Sequence, residues 1–288
     1  MRTVADLIAA GASRLPVDNP RREARLLLAR VLGRDPDRLY LRPDELVSAG
    51  EEELFFKLIS ERGALRRPLQ YILGTAEFMS LEFEVGPGVM VPRPETEILV
   101  ERALEVIGGR AVSILDVGTG SGAIAVSLLV YAPRARAMAT DLSPRALGIA
   151  ARNAARHGVA DRVEFRCGDL LEPVRGQSFD LVAANLPYIP TGDLAGLEPE
   201  VREHEPRLAL DGGPDGLDLY RKLIPGVPAA LAEGGALLVE ISPGQARDVA
   251  DMMLQAGLVG LEVLSDYSGR DRVVLGRRRV KSASGERD

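Results

Sequence analysis

Asn185-Leu186-Pro187-Tyr188 stands directly after the apolar run Val182-Ala183-Ala184, and its residue types suit one kind of chemistry. A carboxamide or exocyclic base nitrogen shares its lone pair with a π system and attacks poorly. The Asn185 side-chain oxygen and the Leu186 carbonyl can accept both N–H bonds of such a nitrogen and hold its lone pair toward an electrophile. Pro187 fixes φ, offers no competing N–H and stiffens the turn. Tyr188 supplies a flat wall for a planar group and a π surface beside a cationic methyl donor. A strand that merely ends in a proline turn would use the same residue types, so the choice rests on what stands upstream.

Val112-Ser113-Ile114-Leu115-Asp116-Val117 reads as a buried strand. It opens into Gly118-Thr119-Gly120-Ser121-Gly122, and Ala123 to Leu129 then reads as a helix. Strand, glycine-rich turn and helix form a nucleotide-binding arrangement, in which the backbone passes close to a ligand and the helix N-terminus faces it. The next strand, Ala135 to Thr140, ends in Asp141, with Ser143-Pro144 as the cap and first turn of another helix. Asp141 is placed to accept hydrogen bonds from both hydroxyls of an adenosine ribose. Gly118, Gly120, Ala123 and Asp141 also satisfy a relaxed dinucleotide fingerprint, so NAD stays open on these residues alone. Two features tilt the choice to S-adenosyl-L-methionine. Asp116 precedes the glycines, where an acid suits the ammonium of a methionine moiety. Asn185-Leu186-Pro187-Tyr188 follows a later strand, Phe179 to Ala184, on the sheet edge where ligands collect. A turn or helix-capping carboxylate is the competing account of Asp116.

The elements that must position these residues follow from the whole chain. Its 288 residues predict two domains, and 46% hydrophobic content can fill a core. No apolar run approaches the ~20 residues of a membrane span, and the start of the chain lacks a signal-peptide pattern. Cys167 is the single cysteine; with only His157 and His204 beside it, no zinc cluster is expected. Cys167 ends the apolar run from Val163 and is expected to be buried and inert. A net charge of −6 disfavours generic nucleic-acid binding. These features predict a cytoplasmic enzyme without a metal, with monomer as the default state.

Residues 1–75 read as a helical bundle. Val4, Leu7, Ile8, Ala12 and Leu15 follow helical spacing, Asn19-Pro20 opens a second helix stopped by Gly33, and Leu54, Phe55, Leu58 and Ile59 mark a third. Residues 76–91 read as a β-hairpin linker around Gly86-Pro87-Gly88. Residues 92–280 alternate strands and helices, which predicts a largely parallel sheet. Ser265 to Arg270 is short enough to join the last two strands as an antiparallel hairpin. Arg277-Arg278-Arg279-Val280-Lys281 and the Ser, Gly and charged residues after it read as a solvated tail beyond the last strand, with residues 281–288 disordered.

The chain resembles the bacterial peptide-chain release factor glutamine methyltransferases of the HemK/PrmC type over nearly its whole length, in order. The resemblance runs through Arg67-Pro68-Leu69-Gln70-Tyr71-Ile72-Leu73-Gly74, Glu77-Phe78 and Val91-Pro92-Arg93-Pro94-Glu95-Thr96-Glu97. It continues through Asp116 to Gly122, Thr140-Asp141-Leu142-Ser143, Asn185 to Ile189 and Glu205-Pro206-Arg207-Leu208-Ala209-Leu210-Asp211-Gly212-Gly213. The Pro-Arg-Pro-Glu-Thr-Glu loop is far more specific than any glycine pattern. One departure stands out: the family usually has Asn-Pro-Pro-Tyr, and the first proline is Leu186 here.

The resemblance implies a class I S-adenosylmethionine-dependent methyltransferase fold. Its sheet is Rossmann-like, seven-stranded and mostly parallel with an antiparallel last strand, beside a small N-terminal helical domain for substrate recognition. It implies that Asp116, Gly118, Thr119, Gly120, Ser121 and Gly122 hold the cofactor, that Asp141 holds the ribose, and that Asp169-Leu170 lie beside the adenine. Asn185, Leu186, Pro187 and Tyr188 would carry catalysis and substrate binding, with Asn185 also touching the cofactor. Arg93, Thr96 and Glu97 would border the methionine end or the substrate entrance; a helix cap with a salt bridge is the alternative for them. Glu205 and Arg207 read as structural partners. The implied substrate is the Gly-Gly-Gln glutamine of release factors, with S-adenosyl-L-homocysteine as product and no nucleic-acid or membrane partner. Asn-Leu-Pro-Tyr also resembles the motif of ribosomal-RNA adenine dimethyltransferases, which keeps an N6-adenine reading open. A non-enzymatic adaptor is the third possibility.

Overall fold

The computed structural model describes residues 1–280; the expected tail at 281–288 lies outside them. The chain divides into two compact units, Met1–Thr75 with Glu198–His204, and Ala76–Leu197 with the residues from Glu205 onward.

In the first unit, α1 (Val4–Ala12), α2 (Pro20–Leu32), α3 (Ala49–Gly63) and α4 (Leu69–Leu73) follow one another. Their ends are written locally. Thr3 and Ser48 each form a capping box, with Asp6 and Glu51 respectively. Asn19 caps α2 before Pro20, and Gly33 ends it at φ 61°. Leu7, Leu27, Leu28, Phe55 and Ile59 fill the core. Glu198–His204, from far later in the chain, completes this unit. Arg62 donates to Glu23 at 2.6 Å and to Glu200 at 2.7 Å, and His204 Nε2 meets the Leu65 carbonyl at 2.8 Å.

The second unit opens within β1 (Thr75–Phe78), which pairs with β2 (Leu81–Glu84) in a two-stranded sheet. The turn expected at Gly86-Pro87-Gly88 lies instead at Met79 and Ser80, both with positive φ (52° and 55°). Phe78 and Phe83 are buried and meet edge to face. Burying both rings fixes the register and leaves two residues for the turn, whatever their preference.

The main elements are α5 (Glu97–Ile107), β3 (Ser113–Val117), α6 (Ala123–Tyr131), β4 (Arg136–Asp141), α7 (Pro144–Arg156), β5 (Val163–Cys167) and β6 (Phe179–Ala184). After α8 (Pro199–His204) come α9 (Asp218–Leu223), α10 (Val227–Ala230), β7 (Leu231–Glu240), α11 (Ala246–Gln255), β8 (Leu258–Ser265) and β9 (Asp271–Arg278). Seven strands form one sheet in the order β5-β4-β3-β6-β7-β9-β8. It is parallel from β5 to β7, and β9 runs antiparallel between β7 and β8. Two apolar clusters cover its faces. Residues of α5, α6 and α7 fill one, and residues of α9, α10 and α11 the other. Arg277 and Arg278, expected in the tail, belong to β9, and Arg278 donates to the Leu231 carbonyl. Cys167, expected to be buried, is exposed, because β5 is an edge strand paired only with β4.

Candidate active site

The strand register lines up four chemical groups. Val117 pairs with Thr140 on one side and with Ala184 on the other, and Ala184 pairs with Val239. One residue further on stand Gly118, Asp141, Asn185 and Glu240, a single row across β4, β3, β6 and β7 at the C-terminal edge of the sheet. The strand order reverses between β3 and its neighbours β4 and β6, which opens a crevice at that edge. A cavity of about 310 Å³ occupies it, lined among others by Gly118, Thr119, Gly120, Ser121, Asp141 and Asn185.

Asp141 organises the glycine turn. One carboxylate oxygen accepts from Gly120 N at 2.9 Å and the other from Ser143 N at 2.8 Å. Each keeps a free lone pair toward the cavity it lines. Gly120 stands at φ 56° with open space where a Cβ would go, so the backbone itself forms the wall there. Asp169 and Leu170, beyond β5, close one side.

Asp116 lies beneath this turn and is not part of the cavity lining. It is fully buried and accepts from the Thr119 hydroxyl at 2.6 Å and from Ala125 N at 3.1 Å. The turn-carboxylate account therefore describes its contacts. Its other oxygen, Oδ1, has no partner. Burial, together with the nearby Asp141 charge, raises its pKa to about 6 against those two hydrogen bonds. A cationic methionine moiety suits this donor set: an unbalanced acid behind an open glycine turn, and a second acid with two spare lone pairs.

Asn185 is fixed by Thr96. Its Nδ2 donates to the Thr96 hydroxyl at 3.0 Å, which leaves Oδ1 as the acceptor available at the cavity. Thr96 is buried at the start of α5 and makes no side-chain cap there, so its hydroxyl serves the site and not the helix. Next to it, Glu240 is fully buried and takes the Tyr188 hydroxyl at 3.2 Å. Burial lifts Glu240 to about 7, although Thr96, Tyr188 and Arg272 all favour its charged form. Burial and the Glu240 charge likewise push the Tyr188 hydroxyl up.

The segment after Glu205 clamps the Asn185–Ile189 loop. Ile189 N donates to the Leu210 carbonyl at 3.1 Å, and Gly212 N returns to the Ile189 carbonyl at 2.9 Å. Gln245 Nε2 reaches the Tyr188 carbonyl at 3.1 Å. Gly216 approaches so closely that a Cβ there would overlap that same carbonyl.

Residues 6–74 match the family model of the PrmC N-terminal domain, and residues 114–204 match a methyltransferase domain. The chain is 46% identical to the release factor glutamine methyltransferase of Geobacter sulfurreducens over 96% of both chains. It is 48% identical to that of Moorella thermoacetica, over 91% of this chain and 93% of the relative. The fold is similar to that of a methyltransferase from Pyrococcus furiosus, with TM-score 0.53 at 15% identity, over 79% of this chain and 96% of that one. The chain belongs to the release factor glutamine methyltransferase family.

For a member of this family, the distribution of the expected site residues is informative. The cavity brings together Gly118, Thr119, Gly120, Ser121, Asp141, Asp169, Leu170, Asn185, Leu186 and Pro187. Asp116, Gly122, Arg93 and Tyr188 are not among its lining residues. Gly122 caps α6, Arg93 pairs with buried Glu205 at 2.6 Å, and Tyr188 anchors to Glu240. Glu97 accepts from Met79 N at 2.5 Å, and Arg207 pairs with Asp211. The tyrosine expected as a flat wall thus holds the loop by its hydroxyl. Leu186 is 3% exposed and lies over Gly118, where a Cβ would come within 3.0 Å of its Cδ2. Sequence reasoning missed Glu240, whose only signal is a single acid ending an apolar strand. It also missed Gln245 and Gly216.

Proposed function

We propose that this protein transfers the methyl group of S-adenosyl-L-methionine to the side-chain amide nitrogen of the glutamine in the Gly-Gly-Gln motif of peptide chain release factors. One observation carries the reading. A carboxamide held by its nitrogen, with its oxygen free, stands in the same row of residues as a glycine turn and a ribose-type acid. The cofactor supplies an electrophilic methyl on a cationic sulfur. Gly118, Thr119, Gly120 and Ser121 cradle it, Asp141 accepts from the ribose hydroxyls, Asp169 and Leu170 border the adenine, and Asp116 balances the ammonium from beneath the turn. Gly122 packs the turn against the next helix.

Asn185 Oδ1 and the Leu186 carbonyl accept the two N–H bonds of the substrate amide and orient its lone pair along the line of transfer. The N–CH₃ bond would form as the S–CH₃ bond breaks and S-adenosyl-L-homocysteine leaves, and the methylated nitrogen would then release one proton to water. Positive charge moves toward that nitrogen in the transition state, so acceptors and position matter more than a strong base. Pro187 and Tyr188 keep the loop in place, and Arg93 with Glu205 stiffens the approach to it. Residues 1–75 serve substrate recognition, residues 92–280 hold the chemistry, and residues 76–91 link them. The protein works as a cytoplasmic monomer with a protein substrate and neither nucleic-acid nor membrane partner. No described helix is long and apolar enough to cross a membrane.

The test is incubation with labelled S-adenosyl-L-methionine and a release factor, its Gly-Gly-Gln glutamine→Ala variant, and a ribosomal-RNA transcript. Label on the wild-type factor alone is expected. Label on the RNA alone would replace this reading with N6-adenine methylation, and no label together with no cofactor binding would leave an adaptor.

A further inference from the structure

We propose that Glu240 is a positioning residue for methyl transfer: through Thr96 it fixes which end of the Asn185 carboxamide faces the cavity. The inference rests on the glutamine methyltransferase reading and names what holds its acceptor.

A carboxamide has two nearly isosteric ends, a donor and an acceptor, and only its partners select between them. Asn185 meets Thr96 through Nδ2 at 3.0 Å. The Thr96 oxygen therefore accepts, and its own proton is left to donate elsewhere. The buried acceptor beside it is Glu240, whose charged form Thr96 favours. Glu240 Oε2 has no hydrogen-bond partner, so that oxygen is open to the Thr96 proton. Its Oε1 takes the Tyr188 hydroxyl and its backbone carbonyl takes the Tyr220 hydroxyl at 2.5 Å. An ionised carboxylate only accepts. Charged Glu240 thus draws the Thr96 proton toward itself, the Thr96 lone pair draws Asn185 Nδ2, and Oδ1 is left for the substrate. A protonated Glu240 reverses the relay. It can donate to Thr96, which then donates to Asn185 Oδ1 and turns the amide NH₂ into the cavity. There it meets the N–H groups of the substrate amide, donor against donor.

The groups facing Glu240 set when this occurs. Tyr188 and Tyr220 are neutral donors. Arg272, on β9, favours the charge and is itself paired with Asp266 at 3.1 Å. Glu95 opposes the charge, while Arg93 favours ionisation of the Tyr188 hydroxyl. Burial outweighs the favourable contacts and brings the midpoint to about 7, inside the range an assay can cover.

The experiment measures kcat and KM from pH 5.5 to 9 with the full chain, labelled S-adenosyl-L-methionine and a release factor. Wild type, Glu240→Gln, Thr96→Val, Thr96→Ser, Asn185→Ala and the Glu240→Gln/Asn185→Ala pair are compared, with cofactor affinity measured by calorimetry. The wild-type kcat is expected to fall below about pH 7. Glu240→Gln should lower kcat about tenfold or more at pH 8, abolish the acidic fall and leave cofactor affinity within about twofold, since Glu240 is not in the cavity lining. Thr96→Val should behave like Asn185→Ala, with most of the loss recovered in Thr96→Ser. The paired variant should be no worse than Asn185→Ala alone, because both changes remove one relay.

Additive losses in the pair, or an unchanged kcat and pH profile in Glu240→Gln, would overturn the inference while Asn185→Ala still supported the reading beneath it. A Glu240→Gln chain that does not fold leaves Thr96→Val to decide. In that case a Thr96→Val kcat equal to wild type overturns the relay. A wild type that leaves the glutamine unmethylated overturns both.

Discussion

Replacing Glu240 by Gln should make the protein more stable at the pH where it makes it slower. The substitution keeps the shape and removes the charge. In the folded protein the carboxyl titrates at about 7 against its ordinary 4.5, so ionising it costs about 3 kcal/mol more there than in the unfolded chain. A raised carboxyl pKa means the folded state holds the proton more tightly. Its contribution is therefore most favourable below pH 4.5, is lost as pH rises from 4.5 to 7, and stays lost above 7. Gln never incurs that cost, but its NH₂ must face one of the hydroxyl donors, which returns about 1 kcal/mol. The variant should therefore exceed wild type by about 1–3 kcal/mol at pH 8 and lose most of that margin by pH 5. The chain has no tryptophan, so urea unfolding followed by circular dichroism is the appropriate assay, read as the variant-minus-wild-type difference at each pH. A variant less stable than wild type at pH 8 would refute the reasoning. It would mean that Thr96, Tyr188 and Arg272 stabilise the charge by more than burial costs.

Four further outcomes test other parts of the protein. Asn185→Ala should lower kcat by about ten- to a hundredfold, the worth of about 1–3 kcal/mol of matched acceptor, with calorimetry showing nearly unchanged cofactor affinity. Asp141→Ala should weaken cofactor binding by about 1.5–3 kcal/mol, and wild-type affinity in a titration would remove it from the ribose site. Asp116→Asn should flatten the pH dependence of cofactor affinity. In wild type the carboxylate is charged above about pH 6, so its attraction for the ammonium should fade as pH drops through that value. Arg62→Ala should destabilise the helical unit by about 3 kcal/mol, because Glu23 and Glu200 lose a shared buried cation; urea unfolding reads it directly.

Local chemistry made part of this protein legible without coordinates. Short apolar runs between turn signals marked the parallel strands. Gly118–Gly122, Asp141 and Asn185–Tyr188 stood out because each is a strand-end signature contained in a few adjacent residues. Caps such as Ser48 with Glu51 are local in the same way, since a helix end is satisfied by residues within one turn. The short link from Ser265 to Arg270 permitted only an antiparallel pairing of β8 and β9.

Tertiary structure decided what depends on residues far apart in the chain. The turn moved from Gly86-Pro87-Gly88 to Met79 and Ser80 because two phenylalanines had to be buried together. Cys167 became exposed because β5 ended at the sheet edge, a matter of strand order that no local pattern encodes. The segment Glu198–His204 joined the helical unit through ion pairs with Arg62 and Arg66. Above all, the register of β3, β4, β6 and β7 put Gly118, Asp141, Asn185 and Glu240 in one row, with Thr96 beside the last two. The sequence by itself determined which groups could do the chemistry, because reactivity belongs to residue types and short spacings. Which end of Asn185 faces the cavity was left to the fold, because a hydrogen-bond direction is set by partners that only packing brings within 3 Å.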